Sequence, residues 1–168
     1  MAGTQSFLSI GAMGLLALIS LNFNTTLLEN RTTEIENKVY LTAFSLADDM
    51  IEEIKQKAFD EQTVVFRAIN PEELTSPSKF APEVLDAGES NNPSTWDDID
   101  DYNGYRKSIS LPHVENYTVM SQVEYVLGSN QDQASLSQTF FKRITVRVTS
   151  PYLSHPVRLS FVFTLHSK

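Results

Sequence analysis

The chain has 168 residues, contains no cysteine and carries a formal net charge of −8 at pH 7. This length predicts one domain, with or without an appendage, and the absence of cysteine excludes disulfides, iron–sulfur clusters and thiolate zinc sites. The acidic balance argues against nucleic acid as a partner, because phosphate binding needs clustered lysine and arginine.

The first predicted element is one long α-helix from Thr4 to about Glu61. Residues 2–28 are uncharged, and no proline occurs before Pro71. About 20 apolar residues cross a bilayer as a helix, and no basic residue precedes the apolar run as it would in a secretory signal. We therefore expect residues 1–28 to form an apolar helix that is solvated by lipid or by copies of itself.

Within this segment, large apolar side chains are expected to form the core of a membrane or polymer contact, and two glycines allow close helix approach. The predicted residues are Phe7, Leu8, Ile10, Gly11, Gly14, Leu15, Leu16, Leu18, Ile19, Leu21 and Phe23.

Residues 29–61 continue the same helix with a different character. Apolar residues recur at helical spacings, which predicts an amphipathic half with one apolar stripe. The stripe consists of Leu28, Ile35, Val39, Ala43, Leu46, Met50, Ile54 and Ala58. The charged residues between them are expected to form a solvated face.

Residues 62–168 are predicted to form a globular head. Four prolines punctuate residues 62–105, which we interpret as a long structured loop, with residues 64–69 as a short strand or a helix end. Residues 106–168 show four runs of period-two alternation, which predict an antiparallel sheet with one buried face and turns at 128–137 and 150–156. The expected fold is α+β, with the apolar stripe of the helix packed on this sheet.

The sequence offers little catalytic chemistry, since His113, His155 and His166 are scattered and no glycine-rich phosphate loop is present. We therefore expect no enzyme activity and no required cofactor. One short segment contains five oxygen-bearing side chains, those of Asp97, Asp98, Asp100, Asp101 and Asn103, and is followed by Gly104. Such oxygen ligands suit calcium, although the EF-hand spacing does not fit. The alternative is a loop whose Asp and Asn side chains cap turns.

Charge is divided along the chain. Residues 29–61 hold nine acids and four bases, residues 62–104 nine acids and two bases, and residues 105–168 three acids and seven bases. This polarity would suit packing of identical subunits in which unlike patches meet.

Two stretches carry a resemblance to a known family: AFSLADDMIEEIKQKAFDE at 43–61 and WDDIDDYNGY at 96–105. The first resembles the end of the long pilin helix, and the second resembles the acidic segment that precedes the pilin sheet. Over nearly its whole length the chain resembles type IV pilins and the pseudopilins of type II secretion, especially minor pilins of the mannose-sensitive haemagglutinin type.

The resemblance implies a structural subunit that waits in the inner membrane and is then moved by pilus assembly machinery into an extracellular filament of identical subunits. The alternative that it leaves open is a membrane-anchored minor pseudopilin or scaffold that forms no long fibre. Three features depart from the family: no basic leader precedes Thr4, Gln5 stands where a glutamate is usual, and no C-terminal disulfide can form.

The weakest helix-forming run of the long helix contains Asn22, Asn24, Thr25 and Thr26. Asn and Thr have low helix propensity, and their side chains compete for backbone hydrogen bonds. Pilin helices are often unwound in filaments over a comparable segment, so the resemblance implies that the helix loosens here after assembly.

Overall fold

A computed structural model describes residues 2–80, 92–111 and 114–165, without the side chains of residues 2, 4–6, 114 and 115. Two helices are present, α1 (Ala2–Ile54) and α2 (Glu61–Val65), with short 3-10 helices at Pro71–Glu73, Pro77–Lys79 and Asp100–Tyr102. Five strands follow, β1 (Arg106–Leu111), β2 (Val114–Leu127), β3 (Asn130–Ala134), β4 (Phe141–Thr149) and β5 (Val157–Thr164). The predicted α+β class, a long N-terminal helix followed by a small antiparallel sheet, is confirmed.

The chain divides into two compact units, Met1–Val39 and Tyr40–Lys168. We call the second unit the head. The first unit is helical wherever the structure describes it, and the described part of its apolar half is exposed to solvent.

Helix α1 ends at Ile54, which is earlier than the predicted end near Glu61. Beyond Ile54 the chain turns, and Ala58 pairs with the acidic segment: its N–H donates to the Asp97 carbonyl at 2.8 Å, and its carbonyl accepts from the Ile99 N–H at 3.1 Å. Asp60 then caps α2. Tertiary pairing and a new helix cap therefore override the helix propensity of residues 55–61.

The sheet is antiparallel in the order β1-β2-β4-β5, and β3 pairs with the end of β2. Strand β3 lies inside the region predicted as a turn at 128–137. All five of its residues are exposed, so it lacks the apolar alternation by which a half-buried strand is recognised.

In the head, the last turns of α1 pack on the sheet. The buried helix residues are Ala43, Ala47, Met50, Ile51 and Ile54, and the buried strand residues include Tyr117, Val119, Val123, Tyr125, Ile144, Val146 and Val148. Thr42 hydrogen-bonds the hydroxyl of Tyr117 on β2, and the Lys55 ammonium lies 4.3 Å from the centroid of the Phe161 ring on β5. The predicted stripe is thus buried at Ala43, Met50 and Ile54, whereas Leu28 and Ile35 are exposed.

Candidate functional site

The apolar surface of α1 is the largest exposed hydrophobic feature of the described chain. By length and composition the helix is able to cross a membrane, and the most apolar stretch has no part buried; signal sequences share these properties. Exposure reaches 80% for Phe7 and is still 64% for Phe23. Monomeric soluble proteins rarely expose a patch of this kind, so the surface marks a membrane or protein contact.

The residues predicted to form the polymer core all lie on this helix and are all exposed: Phe7, Leu8, Ile10, Gly11, Gly14, Leu15, Leu16, Leu18, Ile19, Leu21 and Phe23. Nothing lies within 4 Å of a Cβ built on Gly11 or Gly14. Both glycines therefore leave room for the backbone of an approaching helix.

The run Asn22, Asn24, Thr25 and Thr26 is helical in the isolated chain. The hydroxyls of Thr25 and Thr26 donate to the carbonyls of Leu21 and Asn22 one turn earlier, each at 3.0 Å. Such bonds satisfy the hydroxyls inside lipid and are associated with bent helices. The predicted loosening concerns the assembled filament and stays a prediction.

The acidic segment, residues 96–104, is held by its own side chains. Asp98 Oδ1 accepts from the backbone N–H groups of Asp100 at 2.6 Å and Asp101 at 3.2 Å, which caps the third 3-10 helix. Asn103 donates to the Phe80 carbonyl at 3.0 Å and accepts from the Val123 N–H at 3.1 Å. The Asp98 bonds are local, as the turn-capping alternative expects, whereas Asn103 joins the segment to backbone groups 23 and 20 positions away.

Calcium binding by Asp97, Asp98, Asp100, Asp101 and Asn103 stays a prediction. Asp97 is exposed while the other three aspartates are buried. In the described ranges, no three carboxylate or imidazole side chains are grouped to hold a metal ion.

The aromatic residues of the same segment pack edge to face. The ring centroid of Trp96 lies 4.9 Å from that of Tyr102 and 5.0 Å from that of Tyr105, with both pairs at 84°. The Tyr102 hydroxyl donates to Glu53 Oε1 on α1 at 2.9 Å. This cluster fixes the acidic segment against the end of the helix.

Sequence reasoning missed the most unusual group of the head, Lys142 on β4. Its side chain is fully buried, and Nζ donates to Asp60 Oδ2 at 2.6 Å, Asp100 Oδ1 at 2.6 Å and the Phe59 carbonyl at 2.8 Å. The rings of Phe59, Phe80 and Tyr125 lie within 5.1 Å of the same nitrogen.

The signal for Lys142 was present in the sequence. It alternates in register with Phe140, Ile144 and Val146, and such apolar alternation is typical of the buried face of a strand. A lysine at such a position has to find carboxylates inside the protein, because an unpaired buried charge is costly. No comparable pattern marked Asp60 or Asp100 as its partners.

The environment shifts the pKa values of three of the four buried aspartates in the described residues differently. Burial tends to raise the pKa of Asp60, but the Lys142 ammonium and hydrogen bonds from Thr75 and Tyr125 bring it below its ordinary value. Burial raises the pKa of Asp100 to about 9 against the opposing charge of Lys142. Burial, with the charge of Asp101, raises the pKa of Asp98 to about 7.

A third feature lies on the outer face of the sheet, where residues on neighbouring strands lie side by side. We call them the arginine row, and they are Arg106, Met120, Arg147 and Arg158. All four side chains are exposed, and a shallow groove between Met120, Arg147 and Arg158 also contains Gln122 and Thr145. Within the described residues, the ion pair on this face joins Arg143 to Glu124 and does not involve the arginine row. The row is therefore an exposed cationic surface.

Comparison of the chain with protein-family models, curated proteins and solved structures found no match.

Proposed function

We propose that this chain is a structural subunit of an extracellular filament of the type IV pilus kind, which polymerises through residues 7–28 of α1. The observation that carries the proposal is the exposed apolar surface of that helix segment in a chain whose head has its own buried core. The resemblance of residues 43–61 and 96–105 to pilin segments supports it.

The physical argument concerns how the apolar segment is solvated. Burying one large apolar side chain is worth roughly 1.5–3 kcal/mol relative to water, and ten such side chains are exposed between Phe7 and Phe23. Lipid removes them from water before assembly, and neighbouring helices do so in a polymer. The subunit therefore waits in the inner membrane with its head outside, and assembly machinery moves it into the fibre.

Charge supports contact between the heads of identical subunits. The arginine row is cationic, whereas the end of α1 exposes Asp48, Asp49 and Glu52. Complementary patches on one chain favour contacts in which the basic face of one copy meets an acidic face of the next.

The alternative is a membrane-anchored minor pseudopilin or scaffold that forms no long fibre. The observation that favours it is that α1 is long and apolar enough to cross a bilayer, which would remove its side chains from water without a polymer. In that case identical subunits are not the partners of residues 7–28.

Electron microscopy of surface material, with an antibody raised against the head, tests the proposal. Labelling along the length of fibres supports the filament subunit, whereas a detergent-soluble monomer without labelled fibres supports the alternative.

The variant Leu16→Asp should abolish the labelled fibres, because a carboxylate in the apolar contact is costly. Leu136→Asp is the matched control, since Leu136 lies in the head and is 96% exposed. Fibres that persist in Leu16→Asp cells would contradict polymerisation through this helix.

A further inference from the structure

Two carboxyl groups and one amine are in contact in the interior of the head. Lys142 and Asp60 have no exposed side-chain area, and Asp100 has 5%. Three aromatic rings, those of Phe59, Phe80 and Tyr125, surround Lys142 Nζ. Burial of an ion pair is expensive. A reaction that turned the amine and one carboxyl group into an uncharged product would remove two charges from the interior.

The oxygens of Asp60 have different surroundings. Oδ1 accepts from the backbone N–H groups of Gln62 at 3.2 Å and Thr75 at 3.0 Å, and from the Thr75 hydroxyl at 3.0 Å. Oδ2 accepts from Lys142 Nζ at 2.6 Å and from the Tyr125 hydroxyl at 2.9 Å, and it shares the Thr75 N–H with Oδ1 at 3.1 Å. Oδ1 therefore lies where donors stabilise a developing negative charge, and Oδ2 lies beside proton donors.

Asp100 is placed to carry protons. Its Oδ1 lies 2.6 Å from Lys142 Nζ, so it contacts the nitrogen that would lose protons. Its Oδ2 is buried and has no hydrogen-bond partner among the described residues. Within the described parts of the chain, no backbone N–H group donates to either oxygen, which distinguishes Asp100 from Asp60 as a site of attack.

We propose that Lys142 and Asp60 condense into an intramolecular amide, with Asp100 transferring the protons. Asp100 first takes a proton from the Nζ ammonium and gives one to Oδ2 of Asp60, which leaves a neutral amine beside an un-ionised carboxyl group. The Nζ lone pair then attacks Cγ of Asp60, and the carbonyl electron pair moves to Oδ1. The carbonyl then re-forms, and the bond between Cγ and Oδ2 breaks.

Nζ starts as an ammonium with three protons and ends as an amide with one. The two protons that it loses pass through Asp100 to Oδ2, which departs as water. Ammonium and carboxylate thus become a neutral amide and water, and no oxidant or reductant is needed.

Fixed proximity makes the reaction favourable in this place. Groups held in the correct geometry react with effective molarities of about 10⁵ M or more, and the aromatic walls exclude water that would hydrolyse the product. The bond closes a loop between residues 82 positions apart, in a chain without cysteine. The inference does not depend on the filament proposal.

The experiment is mass spectrometry of the full chain purified in detergent, after near-ultraviolet circular dichroism has shown that it is folded. We expect an intact mass lower than that of the sequence by one water. Trypsin should then release a branched peptide in which residues 58–67 are joined to residues 108–143, because the amide blocks cleavage after Lys142. Lys55 and Glu52, 2.7 Å apart but exposed, should remain unlinked in the same digest.

Folded protein that keeps the full sequence mass after prolonged incubation would overturn the proposal. A branch between residues 80–106 and 108–143 would overturn the assignment of Asp60 as the acceptor. Asp100→Asn should slow amide formation by roughly 10²–10⁴-fold, the usual contribution of a positioned proton-transfer group. Water loss at the wild-type rate in that variant would overturn the role of Asp100.

Discussion

Arg147 and Arg158 lie directly opposite each other on strands β4 and β5, and both side chains are exposed. Like charges in this position destabilise a sheet, so the pair weakens the isolated head. Under the filament proposal, the pair is stabilised by an acidic surface of a neighbouring subunit.

The first prediction is that Arg147→Glu with Arg158→Glu reduces fibre number while the head stays folded. The change replaces attraction to an acidic neighbour by repulsion, at two positions whose side chains are exposed. Quantitative electron microscopy measures the fibres, and circular dichroism of the purified chain checks the fold. Arg143→Gln is the control on the same face, because Arg143 is paired with Glu124. Unchanged fibre number in the double variant would contradict a role for the row in assembly.

The second prediction concerns pH and Asp98. The folded-state pKa of about 7 exceeds the ordinary value of 3.8, so between these values the folded chain holds a proton that the unfolded chain has lost. Stability therefore falls as pH rises from about 4 to about 7 and then levels for this group. Asp98→Asn retains an oxygen that accepts from the Asp100 and Asp101 N–H groups but cannot ionise.

Melting temperatures at about pH 5 and about pH 8, measured with a calcium chelator present, test this expectation. The wild-type chain should lose more stability between the two values than Asp98→Asn. Equal losses in both proteins would contradict a raised pKa at Asp98.

The sequence predicted those parts of the fold in which apolar residues recur at a regular spacing. Alternation predicted a sheet with one buried face, and Val119, Val123, Ile144 and Val146 lie on that face in the structure. The exposed polar strand β3 has no apolar period, so no pattern indicated it. The end of α1 depends on pairing of Ala58 with residues far along the chain, which local propensity does not record.

The candidate sites differ in the same way. The apolar run within residues 7–28 is a local property that can be read from the sequence, and its role as a polymer core stays a prediction. The cluster around Lys142 joins Asp60, Asp100 and Lys142 from three separated segments. Only alternation on β4 indicated that the lysine is buried, and nothing in the sequence identified its partners.

The third prediction concerns calcium at residues 97–103. We expect a chelator to leave the melting temperature of the head unchanged, because Asp98 and Asn103 already bond the backbone and Asp100 bonds Lys142. Differential scanning calorimetry in chelator and in calcium measures the difference. A higher melting temperature in calcium would establish the metal site, and its loss in Asp97→Asn would place it in the acidic segment.

The fourth prediction is that the head folds without the apolar segment. The described residues of Tyr40–Lys168 contain the sheet and the helix turns that pack on it, so a chain starting at Glu29 keeps these contacts. We expect it to be monodisperse by size-exclusion chromatography without detergent and rich in β-structure by circular dichroism. An unfolded product would show that residues 1–28 are needed for folding.

The fifth prediction is that α1 loosens in the assembled fibre between about Gly14 and Thr26. The run around Asn22 to Thr26 has low helix propensity, but lipid suppresses opening because an unpaired amide costs several kcal/mol there. In the isolated chain the Leu21 and Asn22 carbonyls already accept from the hydroxyls of Thr25 and Thr26. If the backbone N–H groups move away, these hydroxyls keep the carbonyls satisfied, and neighbouring subunits supply acceptors for the freed N–H groups.

A filament map at side-chain resolution measures this directly. We expect the rise per residue in residues 14–26 to exceed the helical value of ~1.5 Å, which would let the head move relative to the fibre core under tension. Thr25→Val with Thr26→Val removes both hydroxyls at nearly constant side-chain volume and should reduce the extension. Unbroken i to i−4 hydrogen bonds from Leu15 through Leu28 in the wild-type fibre would contradict the prediction, because the helix would then be as rigid after assembly as in the isolated chain.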